Sequence, residues 1–181
     1  PGVASAFFRT SDGLSLHYYQ AGPQHSASTV LLLPGWSMPA SLWNGQWKAL
    51  AVRHRVLALD PRGQGLSEFP APLDEPVWSI DRRADDVREL LRSVDKVSKS
   101  RLILVGWSLG ALELLHALQR DPALAARVAA VVLVVEEAVA VDLVIVVVAA
   151  LVDLAAEAVA AVAQAAIGNQ MPSTTHSSKL S

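Results

Sequence analysis

The pentapeptide Gly106-Trp107-Ser108-Leu109-Gly110 sets a serine hydroxyl between two residues that have no side chain. Residues 101–105 before it form an apolar run that reads as a buried strand, and residues 111–118 after it are rich in strong helix formers. A serine on a sharp strand-to-helix turn is the pattern of a nucleophile elbow: the glycines let strand and helix approach, and the strained turn presents the hydroxyl to solvent. The chemistry this offers is acyl transfer. A serine hydroxyl is a poor nucleophile until a base takes its proton, so a histidine oriented by a carboxylate is required. Downstream of Ser108 the histidines are His116 and His176. His116 lies two turns along the helix leading away from the turn, as a packing or surface residue would. His176, in the polar segment 171–178, is a candidate for the base, its choice over the histidines before Ser108 resting on the resemblance given below. For the acid, residues 143–153 read as a strand delivering Asp153 at its C-terminal end, followed by a helix-like run to Ala166. Glu136, Glu137 and Asp142 compete for that role.

The elements that must position these groups are legible in order. Residues 6–20 read as two short strands about the turn Ser11-Asp12-Gly13. His17, in the second, reads as a half-buried packing residue, and His25 lies in a polar loop. Residues 29–33 form an unbroken apolar strand that ends at Pro34-Gly35-Trp36-Ser37. Leu42, Trp43, Trp47 and Leu50 recur at helical spacing within residues 41–53. Residues 55–59 give another buried strand, ending at Asp60. Residues 60–67 are a tight polar loop, and residues 69–76 a proline-rich connection. From Ser79 a helix carries Ile80, Ala84, Val87, Leu90, Leu91 and Val94 on one face. Alternating helices and buried strands predict an α/β fold with a mostly parallel sheet and helices on both faces.

At 181 residues and 52% hydrophobic composition, one domain over residues 1–181 is expected. A net charge of −2 with scattered basic residues gives no footprint for nucleic acid. The absence of cysteine excludes disulfides, thiolate metal sites and a cysteine nucleophile. Residues 123–167 are dominated by Ala and Val without Gly, Pro or aromatics, a texture at odds with the several elements they should contain. Glu136, Glu137, Asp142 and Asp153 interrupt this tract, so no membrane span is expected. Residues 168–181 read as a polar tail. No basic-then-apolar leader opens the chain, Pro1 in place of Met suggests processing or trimming, and a cytoplasmic location is expected. Ser178-Lys179-Leu180 resembles a peroxisomal address but is followed by Ser181.

With Pro34-Gly35-Trp36, the segment from Asp60 to Ser67 and the Ser108 pentapeptide in this order, the chain resembles the α/β-hydrolase superfamily, and within it small carboxylesterases and lactonases, over about residues 5–135. The likeness extends with most detail over residues 1–122. It implies Ser108 as nucleophile, an oxyanion hole made by the backbone N–H groups of Trp36 and Leu109, and a small ester, thioester or lactone as substrate, with no metal and no organic cofactor. It also implies a lid after the strand at residues 128–135, which this chain would lack or hold only in vestigial form. A serine nucleophile speaks against the carboxylate-based chemistry of epoxide hydrolases and haloalkane dehalogenases. Trp107 and Trp43, with Trp36, either line an apolar acyl or aryl site or are core aromatics. Two alternatives stand beside the esterase reading: a catalytically incomplete scaffold, and haloperoxidase or C–C hydrolase chemistry on the same residues.

Overall fold

A computed structural model describes residues 2–71, 76–94, 100–136 and 142–147. Seven strands form one sheet in the order β1-β2-β4-β3-β5-β6-β7. β1 (Ala4–Arg9) and β2 (Ser15–Ala21) make an antiparallel hairpin. Its turn is closed by Thr10, which bonds Leu14 through both backbone and hydroxyl, and by Gly13 at φ 91°. β2 pairs antiparallel with β4 (Arg55–Leu59), and β4, β3 (Ser28–Leu33), β5 (Arg101–Trp107) and β6 (Val128–Glu136) run parallel.

The central strands are continuous apolar runs because both of their faces are covered. On one face lie α2 (Ile80–Val94) and α3 (Leu109–Arg120), which bury Val87, Leu90, Leu91, Leu114 and Leu118 against Leu31, Leu57 and Leu104. On the other, a 3-10 turn (Ala40–Trp43) leads into α1 (Asn44–Leu50), and Trp43, Trp47 and Ala51 pack on Val30, Leu32 and Val56. The apolar spacing of the sequence thus places the helices on the faces it implied. A four-residue helix, α4 (Pro122–Ala125), capped by the Asp121 carboxylate on the Leu124 N–H, turns the chain into β6.

β7 (Asp142–Val147) is the described part of the strand expected over residues 143–153, and Asp153 lies outside the described residues. β7 runs antiparallel to β6, with Glu136 opposite Asp142 and Val131 opposite Val147. The reason is chain length: five residues separate Glu136 from Asp142, whereas a crossover to a parallel neighbour needs a dozen or more. The N-terminal end of β7 therefore sits at the sheet edge that carries Ser108, and its C-terminal end at the opposite edge. Among the described residues, no helix is long and apolar enough to cross a membrane.

Candidate active site

The turn from β5 into α3 has the geometry its glycines require. Ser108 lies at φ 51°, ψ −116°, and is exposed, while Gly106 and Gly110 are buried. A Cβ on Gly106 would lie 2.7 Å from the Ala111 backbone, and one on Gly110 2.6 Å from the Pro34 carbonyl oxygen, so neither position has room for a side chain. A non-glycine residue at positive φ is costly and is held only when its surroundings dictate it. Here the Ser108 N–H donates to the Val134 carbonyl of β6 (2.8 Å), and the Ala111 N–H donates back to the Ser108 carbonyl (2.9 Å). The hydroxyl does not cap α3, and it has no hydrogen-bond partner among the described residues.

The loop after β3 abuts this turn: a Cβ on Gly35 would sit 3.3 Å from the Ser108 Cβ. Trp36 follows, then Ser37 at φ 60°. Two side chains from the loop after β4 fix this segment. Gln64 Oε1 accepts from the Met38 N–H (2.8 Å), and Asp60 Oδ1 from the Ala40 N–H (2.5 Å). Leu109 begins α3, where the first backbone N–H groups have no partner within the helix and the dipole is positive. Gly35, the residue before Trp36, and Leu109 at the start of α3 thus border the serine turn.

Beside the Trp36 loop is a cavity of about 450 Å3 lined by Trp36, Phe69 and Trp78 together with Ser37, Gly63 and Gln64. Trp78 stands edge-on to Phe69 (5.2 Å) and to Trp36 (6.4 Å). Trp43 and Trp107, expected to contact substrate, do not line this cavity. Trp43 is 6% exposed and packs edge-on against Trp107 (6.2 Å) in the core on the α1 side. Phe69 and Trp78 were not singled out in the sequence. They come from the proline-rich connection and the segment before α2, whose composition signals only a surface crossing.

Behind Trp36 lies a buried ion pair. Arg83 of α2 places its guanidinium carbon 5.4 Å from the Trp36 ring and donates from Nε to Glu113 Oε1 of α3 (2.5 Å). Burial pushes the Glu113 carboxyl up to about 7, with the Arg83 charge opposing the rise. Among the described residues, neither Nη of Arg83 has a hydrogen-bond partner.

His17 corrects the reading of a half-buried packing residue: it is wholly buried, with Nδ1 on Asp60 Oδ2 (2.7 Å) and Nε2 on Ser5 Oγ (2.6 Å). β2 lies three strand positions from β5, about 14 Å at the usual spacing, so His17 cannot serve Ser108. His116 lies 3.5 Å from Asp81 on the outer side of α3. Asp153, His176 and Glu137 lie outside the described residues. Glu136 and Asp142 are described in backbone, paired at the Ser108 edge of the sheet. Among the described residues, no group of three His, Asp or Glu side chains could hold a metal ion.

The chain is similar to known proteins. The alpha/beta hydrolase fold family pattern matches residues 28–180. A putative carbamate hydrolase RutD of Variovorax paradoxus (strain S110) is 39% identical over 122 residues, 67% of this chain and 42% of that protein. Mouse epoxide hydrolase 4 is 31% identical over 100 residues, 55% of this chain and 26% of its own. A pimeloyl-[acyl-carrier protein] methyl ester esterase of Aeromonas hydrophila is 31% identical over 99 residues, 55% of this chain and 33% of its own. Among solved structures, an alpha/beta hydrolase from Novosphingobium aromaticivorans superposes with a TM-score of 0.62 at 29% identity, over 73% of this chain and 44% of that one. The chain spans less than half the length of each of these proteins. With the family pattern running over most of its length, on a sheet and a strained serine turn of this form, the chain belongs to the alpha/beta hydrolase fold family.

Proposed function

We propose that the protein is a serine hydrolase that cleaves a small carboxylic ester, thioester or lactone through an acyl-enzyme on Ser108. The observation that carries this reading is the exposed serine held at φ 51° on the turn into α3, between the Trp36 loop and the N-terminus of that helix. Attack of Oγ on a carbonyl carbon develops negative charge on the carbonyl oxygen. The backbone N–H groups of Trp36 and Leu109 are the donors for that charge, and loss of one such donor typically costs about 3 kcal/mol of barrier. The aromatic cavity beside Trp36 takes the apolar part of the substrate. A hydroxyl nucleophile, where epoxide-opening chemistry of this fold uses a carboxylate, supports acyl transfer.

His176 is the base in this reading, and the acid is Asp153, Glu136 or Asp142. All three lie between Ser108 and His176 in sequence, and the position of Glu136 and Asp142 at the Ser108 end of the sheet supports those two. His176→Ala then lowers turnover by orders of magnitude, and the acid is the one of the three whose amide variant does the same. A second reading is a scaffold without a working base. Hydrolysis of p-nitrophenyl acetate separates the two. The hydrolase reading expects Ser108→Ala to lower kcat at least a thousandfold, and turnover unchanged by that substitution would establish the scaffold.

A further inference from the structure

Among the described residues, a Ser–His–Asp string with the connectivity of a catalytic triad lies apart from Ser108. Ser5 Oγ lies 2.6 Å from His17 Nε2, and His17 Nδ1 lies 2.7 Å from Asp60 Oδ2. The three residues come from β1, β2 and the end of β4, and Ser5 is exposed while His17 and Asp60 are 0% and 1% exposed. Asp60 is fixed on every side: Oδ1 accepts from the Ala40 N–H, and Oδ2 accepts from the Leu66 N–H (3.0 Å) as well as from His17. A carboxylate so surrounded by donors accepts and does not donate, which places the imidazole proton on Nδ1. Nε2 is then the lone-pair nitrogen, and the Ser5 hydroxyl donates to it. The ring cannot turn away, because Phe7 (5.0 Å) and Tyr19 (4.5 Å) stand edge-on to it.

These are the elements that activate a serine: a hydroxyl at the surface, a base aligned on it, and a buried acid orienting the base. β1 is the edge strand and lies four positions from β5, about 19 Å at the usual strand spacing. The string is therefore separate from the Ser108 turn. A purely structural role, tying the edge strand to the loop after β4, needs only hydrogen bonds and implies no reactivity.

We propose that Ser5 is a second activated serine, an acyl acceptor for small activated esters and organophosphorus acylating agents. The Ser5 proton passes to His17 Nε2 as Oγ bonds to the carbonyl carbon or phosphorus. The bond from that centre to its leaving group breaks, and the leaving group takes the proton from Nε2. The product is an O-acyl or O-phosphonyl Ser5 with a neutral His17. The claim is acylation of one residue, not turnover.

The test uses the Ser108→Ala chain treated with a fluorophosphonate probe at pH 8, digested with trypsin and mapped by mass spectrometry. Ser5 is the one serine between residue 1 and Arg9, so the peptide of residues 1–9 reports it without ambiguity. The expected result is labelling of that peptide at least tenfold above the peptides carrying the other exposed serines, lost in 8 M urea and lost in Ser5→Ala/Ser108→Ala. A folded Ser108→Ala protein, verified by circular dichroism, that leaves residues 1–9 unlabelled overturns the proposal. So does labelling that persists equally in urea. Because Ser108 is absent from the test, neither outcome bears on the hydrolase reading.

Discussion

Gly110 shows how little freedom the serine turn has. A methyl group there would meet the carbonyl oxygens of Pro34 at 2.6 Å and Leu33 at 2.8 Å, both backbone atoms at the end of β3 that cannot rotate away. Gly110→Ala must lift α3 off the sheet, and a loss of about 2–4 kcal/mol is expected in urea unfolding. Glu113, one turn further along α3, makes stability depend on pH. Its carboxyl is raised by burial from an ordinary 4.5 to about 7. The folded protein therefore holds this proton more tightly than the unfolded chain. The contribution is complete below about 4.5 and is lost as pH rises toward 7. A span of that size corresponds to about 3 kcal/mol. Unfolding free energies measured from pH 4.5 to 8 should fall over this window, and Glu113→Gln should remove that fall. Because Gln resembles the protonated acid, the same substitution should leave the stability near pH 4.5 nearly unchanged.

Between elements, Arg62 is the residue that ties the loops together. Its guanidinium is fully buried and forks onto Asp86 of α2 through Nε (2.7 Å) and Nη2 (2.8 Å). It also donates to Asp12 in the β1–β2 turn (3.1 Å) and to the Val77 carbonyl (2.7 Å). A lysine cannot reproduce a planar fork. Arg62→Lys should cost about 3–5 kcal/mol, because it leaves Asp86 buried with half its partners, and thermal unfolding would show it as a large drop in Tm. The apolar period of α2 was legible in the sequence, since burial of one helix face repeats every three or four residues. Arg62 itself, inside a glycine-rich polar loop, carried no such signal. A run of Val and Ile reports burial but not orientation, so the antiparallel direction of β7 follows from the shortness of the connection after Glu136.

At the scale of the molecule, the cavity is assembled from three separate stretches: the loop after β3, the loop after β4 and the approach to α2. Gly63, at φ 71°, lets Trp78 close on it, since a Cβ there would lie 2.6 Å from the indole. If this cavity holds the apolar part of an ester, Trp78→Ala should raise KM for aryl esters about tenfold while leaving kcat within twofold. Methyl acetate, too small to reach the rings, should show no change. The sequence by itself determined the order of strands and helices, the faces they bury and the strained turn at Ser108, because periodicity and glycine placement act over a few residues. Only the tertiary structure decided that His17 faces Ser5 and Asp60 and not Ser108, that Arg83 meets Glu113 beneath Trp36, and that Trp43 belongs to the core while Trp78 walls the cavity. Those pairings join residues from 12 to 43 positions apart. A local pattern says which side of a strand or helix is buried, but the partner of a polar group is fixed only when the sheet order brings distant segments together.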